Sequence, residues 1–143
     1  MRHISYPLGS VAAGTVLSTP NTTTFLTAAT VAVTGPDGQT VPGIPANGIP
    51  VQGVISIALD FNITAISGAS AALTVTVDRY GEDGVWYNIY TSGAKSATGQ
   101  TVASIGPGES TNVEIGNIVR VAFFLSNTTT PSVTLSASAR AKS

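Results

Sequence analysis

The chain has 143 residues, of which 43% are hydrophobic and 9% are charged, and its formal net charge is -1. This length is typical of one domain, and the near-neutral charge excludes a basic surface for nucleic acid or for an anionic membrane. Cysteine is absent, which excludes disulfides and thiolate metal sites. Runs of about 18 apolar residues are also absent, so the sequence predicts no membrane-spanning helix.

Residues 40–50 are rich in proline and glycine, a composition that argues against a helix or a central strand. We predict an extended connector there. Before it, the sequence predicts strands at 11–18 and 23–34 and a turn at 35–38.

The connector divides the chain into two parts of one structural unit. Residues 1–50 are predicted to form N-terminal strands or an arm together with the Pro-rich connector, and residues 51–143 a β-sandwich domain. Apolar and polar residues alternate weakly in the first part, so we expect it to contribute more to assembly than to the fold. Prolines restrict φ in advance, and a Pro-rich segment therefore loses little entropy when it is fixed against a neighbouring subunit.

After the connector, apolar and polar residues alternate with the period of a β-strand. The apolar positions are Ile55, Ile57, Leu59, Phe61, Ile63 and Ala65 and, after a turn at 67–70, Leu73, Val75 and Val77. This pattern predicts a hairpin over residues 54–78 in which the odd-numbered apolar side chains from Ile55 through Ile63 and from Leu73 through Val77 face the core.

Further strand-forming segments are separated by glycine, proline and polar turns. We predict strands at 85–90, 100–105, 110–115, 118–125 and 131–140. No window combines helical apolar spacing with caps at both ends, so no helix is predicted. The pattern indicates an all-β fold, an antiparallel, jelly-roll-like β-sandwich with an extended N-terminal segment that contains proline and glycine.

Motifs for catalysis are missing from the sequence. His3 is the only histidine, and it lies near a terminus, where a solvated side chain is usual. Hydrolase elbows and phosphate-binding loops do not occur. Asp60 and Asp78 fall on the polar faces of the predicted hairpin, where carboxylates are normally solvated. We therefore predict a protein that is not an enzyme and that has no cofactor and no metal.

The segment 78–84 contains the acidic residues Asp78, Glu82 and Asp83, whose oxygens are suitable calcium ligands. It lacks the alternating acidic positions of a dedicated calcium loop, and its two glycines are typical of a tight turn. A polar hairpin turn is the favoured interpretation.

Aromatic residues are concentrated around one predicted strand, at Tyr80, Trp86, Tyr87 and Tyr90. Alternation predicts that Trp86 and Tyr90 share a face with Asn88. Either one face of this strand fills the core while the other makes subunit contacts, or exposed rings stack on sugars. We favour subunit contacts.

The second part of the chain resembles small structural proteins of tailed-bacteriophage virions, head-decoration proteins among them. The segments that carry the resemblance, in order, are LDFNITAISGASAALTVTVD (59–78), DGVWYNIY (83–90), ATGQT (97–101), GPG (106–108), VRV (119–121) and TPSVTLS (130–136). The similarity covers residues 53–140 and does not extend to the first 50 residues.

The resemblance implies a capsid decoration, or cement, protein that binds and stabilises the lattice of the major capsid protein, often as a homotrimer at a symmetry axis. It implies a place on the capsid exterior after synthesis in the bacterial cytoplasm. The near-neutral charge predicts no nucleic-acid or membrane partner. The alternative is a tail, fibre or host-adhesion module that binds surface carbohydrate. The expected protein-contact residues are Pro42, Ile44, Pro45, Ile49, Pro50, Tyr80, Trp86 and Tyr90.

Overall fold

A computed structural model describes residues 5–26, 43–51, 54–126 and 130–142. The predictions for His3, Pro42 and the turn at 35–38, and most of the strand predicted at 23–34, fall outside these residues.

The described residues form strands and no helix, so none of them belongs to a helix that could cross a membrane. The strands are β1 (Ser5–Leu17), β2 (Thr22–Phe25), β3 (Ile49–Pro50), β4 (Ser56–Ser67), β5 (Ala72–Tyr80), β6 (Trp86–Lys95), β7 (Gly99–Ile105), β8 (Ile118–Ser126) and β9 (Ser132–Lys142).

The strands form two antiparallel sheets. One has the order β1-β9-β4-β7, and the other has the order β2-β8-β5-β6, with the short β3 also paired to β8. The prediction of an all-β antiparallel sandwich is therefore confirmed, while the jelly-roll strand order stays a prediction.

The core lies between the inward faces of the two sheets. It contains the predicted odd-numbered apolar residues of both segments, namely Ile57, Leu59, Phe61, Ile63, Leu73, Val75 and Val77. The prediction is wrong at Ile55, which is 51% exposed because it precedes the strand. Ala65, the last residue of the alternating run, is exposed because a register irregularity between Ile63 and Ala65 turns it to the outside.

The predicted hairpin over residues 54–78 is wrong, because β4 and β5 belong to different sheets. β4 pairs with β9 and β7, whereas β5 pairs with β8 and β6. The turn between them has positive φ at Gly68 (106°) and at Ser70 (59°), and it carries the chain across the core. Alternation reveals which side chains are buried but not which strand is the partner.

The next turn does close a hairpin. In it, the Gly81 N–H donates to the Val85 carbonyl at 2.8 Å, and the Gly84 N–H donates to the Gly81 carbonyl at 3.0 Å. β5 and β6 then pair along their length. The interpretation of residues 78–84 as a polar hairpin turn is confirmed.

The prediction of a strand at 110–115 is wrong, because the structure forms no strand there. Within it, only Thr111 makes a bridge, to Ile105, and nearby backbone groups bond locally instead. The Gly108 N–H donates to the side chain of Asn112 at 3.0 Å, and the Val113 N–H donates to the Gly106 carbonyl at 3.4 Å. Polar side chains that bond to nearby backbone compete with strand pairing in this way.

The first 50 residues supply strands to both sheets. β1 pairs with β9, and β2 and β3 pair with β8. Leu8, Leu26 and Ile49 from this segment are buried in the core. The segment is therefore a structural part of the sandwich, and its share in assembly stays a prediction.

Leu59→Ala should lower the free energy of unfolding by about 2 to 5 kcal/mol, because it leaves a cavity in the core. Leu59 has 0% exposure, whereas Val85, the control position, is 49% exposed. Val85→Ala should change stability by no more than about 0.5 kcal/mol. Urea unfolding of both variants measures the difference, and a loss below about 0.5 kcal/mol at Leu59 would contradict this core assignment.

Candidate protein-contact site

The outer face of the five-stranded sheet gathers side chains from four strands. Asp78 on β5 lies opposite Arg120 on β8, and Tyr80 lies opposite Trp86 on β6. Phe25, the last residue of β2, completes the group from the other side of β8. We call these five residues the aromatic–arginine cluster.

Arg120 is the centre of the cluster. Its Nε donates to Asp78 Oδ2 at 2.9 Å, and its guanidinium carbon lies 4.4 Å from the ring centroid of Trp86 and 5.5 Å from that of Phe25. The rings of Tyr80 and Trp86 are also in contact, with centroids 4.9 Å apart and planes inclined at 56°. Cation–π attraction and the ion pair thus fix one guanidinium between two rings.

The carboxylate of Asp78 is not solvated as the alternation predicted. Its side chain is only 14% exposed and that of Arg120 is 26% exposed. Asn88 Nδ2 donates to the other carboxylate oxygen, Oδ1, at 3.1 Å. The prediction was wrong because an outward position on a sheet is covered when the neighbouring strands carry long side chains.

Trp86 and Tyr90 do not share a face, which corrects the alternation predicted for this strand. Asn88 pairs with Asp78, and Tyr90 pairs with the next residue of β5, Val77, so that Ile89 is an extra residue in β6. This bulge turns Tyr90 toward the core, against which it packs. Burial raises the pKa of the Tyr90 hydroxyl.

The described connector residues that were expected to contact a partner are partly or fully covered by their own chain. Ile44 and Pro45 are half-buried, whereas Ile49 and Pro50 are buried. A Cβ added at Gly48 would lie 2.9 Å from a methyl of Ile44 and 3.0 Å from one of Ile118. The connector therefore packs closely against β8 and keeps only part of its surface for a partner.

A second candidate region is a depression of about 750 Å³ beside the β5–β6 turn, lined among others by Tyr80, Glu82, Asp83, Tyr87 and Glu114. We call it the turn depression. The Tyr87 hydroxyl donates to the Asp83 carboxylate, and this bond lowers the pKa of Asp83 and raises that of Tyr87. Within the described ranges, no group of three or more His, Cys, Asp or Glu is arranged to hold a metal ion.

Of the predicted contact residues, the structure brings Tyr80 and Trp86 together, and Tyr90 lies on the other face. Sequence reasoning missed Phe25 and Arg120. Arg120 did carry a signal, since it is the single charged residue in the apolar run 118–125. An outward arginine there requires a partner, but the sequence did not identify it as Asp78.

In comparisons with protein-family models, curated proteins and solved structures, none matches this chain.

A double-mutant cycle with Arg120→Ala and Trp86→Ala should give a coupling energy of about 0.5 to 2 kcal/mol in the free energy of unfolding, because the two side chains stack. The control cycle pairs Arg120→Ala with Val16→Ala on the other sheet, and there the effects should add to within about 0.5 kcal/mol. Equal coupling in both cycles would contradict the stacking.

The Tyr87 hydroxyl should titrate above its ordinary pKa of 10.0, because ionisation would break its bond to a carboxylate and place two negative charges together. Asp83→Asn should lower this pKa toward the ordinary value. The phenolate absorbance of each protein, minus that of its Tyr87→Phe counterpart, isolates the titration of Tyr87. An unchanged midpoint in Asp83→Asn would exclude the bond.

Proposed function

We propose that this chain is a structural protein of a tailed-phage virion, specifically a capsid decoration protein that binds and stabilises the major capsid protein lattice. The observation that carries the proposal is the aromatic–arginine cluster on the outer face of the five-stranded sheet. The resemblance of residues 53–140 to structural proteins of phage virions favours a capsid subunit as the partner.

The composition of the cluster supports a role in binding protein. Tryptophan, tyrosine and arginine are the residues that contribute most often to the energetic centre of protein interfaces. Here they occur together in a chain with only 9% charged residues. The ion pair with Asp78 partly neutralises the charge of Arg120. The desolvation free energy of covering this surface with a partner is therefore smaller.

The cluster is also held in place before any partner arrives. Arg120 is fixed by one hydrogen bond and two ring contacts, and all five side chains extend from paired strands. A side chain that is already ordered loses less entropy on binding. This arrangement suits attachment to a rigid, repeated lattice.

Decoration stabilises a capsid by mass action. A protein that binds the assembled lattice, and not the dissociated subunits, shifts the equilibrium toward the assembled state. Such a role depends on surfaces that bind the lattice and does not require a catalytic group. In the proposed particle the chain lies on the capsid exterior, and the resemblance favours a homotrimer.

The turn depression favours a second candidate function, host adhesion through carbohydrate. It combines the ring of Tyr87 with carboxylates, and sugars bind to rings flanked by hydrogen-bonding groups. Trp86 is less suited to that role than the sequence suggested, because Arg120 covers one of its faces at 4.4 Å. A sugar would therefore stack on Tyr87.

The test is binding of the purified protein to capsids that lack their decoration protein. Wild-type protein should bind and raise the temperature at which the capsids dissociate, whereas Trp86→Ala should bind at least about tenfold more weakly, as expected at an interface centre. Tyr87→Ala is the matched control, since it removes an exposed aromatic residue outside the cluster. Circular dichroism verifies that each variant is folded.

A second variant, Arg120→Lys, keeps the positive charge but loses the planar group that stacks on Trp86, and it should also weaken binding. Normal capsid binding by both cluster variants would overturn this site, and no binding by the wild type to any capsid would overturn the function. Glycan binding that is lost in Tyr87→Ala would instead favour the adhesion module.

A further inference from the structure

The edge strands of the two sheets differ in how they are protected from pairing with other chains. Proteins usually protect sheet edges with prolines, bulges, charges or short strands. β1 contains Pro7 and two register irregularities, and the pairing of β6 with β5 has two register irregularities as well. β2 is only four residues long, and β3 is only two residues long. β7 has seven residues, no charged side chain and an uninterrupted register with β4.

One side of β7 has open backbone groups. The Ser104 carbonyl points away from β4, because it accepts from the Thr111 N–H at 3.0 Å. Backbone groups alternate in direction along a strand, so those of Gln100 and Val102 point the same way. β7 pairs with no strand other than β4 among the residues that the structure describes. The Val102 side chain beside this edge is 76% exposed.

We propose that β7 pairs antiparallel with β7 of a second copy of this chain, around a two-fold axis at Thr101. The two four-stranded sheets then become one continuous sheet. This two-fold contact is separate from the homotrimer contacts of the proposed capsid role, and it uses a different sheet from the aromatic–arginine cluster and needs no other protein.

The register follows from the open groups. Among the described residues, Gln100 and Val102 are the residues of β7 whose outward N–H and outward carbonyl are both open, since the outward carbonyl of Ser104 is already bonded to Thr111. In the antiparallel pair centred on Thr101, Gln100 of each copy lies opposite Val102 of the other. Each such pair exchanges both N–H···O=C bonds, and every free group of the two residues is satisfied.

A second copy fits this edge because pairing two β7 strands brings no like charges together. Charged residues near a two-fold axis would face their own copies, and β7 has none. Asp60 is the nearest carboxylate on the adjoining outer face, on β4 opposite Val102. Its two copies would be three strand spacings apart, about 14 Å, which exceeds the Debye length of about 8 Å at physiological salt.

Sedimentation over a range of protein concentrations tests the pairing. The wild type should show concentration-dependent self-association, and Val102→Lys should raise the dissociation constant at least about tenfold. Val16→Lys is the matched control, because Val16 is a 54% exposed valine on the irregular edge strand β1, and it should associate like the wild type. No self-association, or equal weakening by both lysines, would overturn the proposal.

Single cysteines test the register, since the chain contains no cysteine of its own. Thr101→Cys should form a disulfide-linked dimer under mild oxidation, because residues facing each other in a non-hydrogen-bonded antiparallel pair are about 4.5 Å apart between Cα atoms. Val102→Cys is more exposed but sits off the axis, so it should cross-link more slowly. Faster cross-linking of Val102→Cys would overturn the register centred on Thr101.

Discussion

Burial of the two inward sheet faces against each other is the interaction on which the rest of this protein depends. With no cysteine and few charges, the chain gains stability from apolar area removed from water, at about 25 cal/mol per Å². The central strands β4, β9, β5 and β8 supply most of that area, with side chains such as Leu59, Val75, Phe123 and Leu135 almost completely buried. The outer faces and edges are thus free to carry other functions.

The two outer faces differ in chemistry. On the five-stranded sheet, an arginine lies between two aromatic rings and is paired with an aspartate, which gives a partly apolar surface of fixed shape. On the four-stranded sheet, a shallow depression is lined by polar residues such as Asn62, Ser136 and Ser138 and borders the open edge at Val102. A protein with two such surfaces is suited to contact two kinds of neighbour, a different subunit on one side and its own copy at an edge.

The sequence predicted burial better than pairing. Alternation located the inward residues of β4 and β5, because a period of two follows from strand geometry alone. It could not reveal that the two strands belong to different sheets, since their true partners are distant in sequence. The bulge at Ile89 has no sequence signal of its own, and it moved Tyr90 to the inner face. Arg120 and Asp78 are 42 positions apart, so their pairing depends on the order of strands in the sheet.

The proposed contact places the outer face of the five-stranded sheet against another protein subunit in an assembled particle. A density map of purified virions that contain this chain, identified in them by mass spectrometry, tests it most directly. We expect Trp86 and Arg120 to lie against a subunit of the capsid lattice and to be shielded from solvent. A map in which this face points into solvent, with the chain attached by another surface, would contradict it.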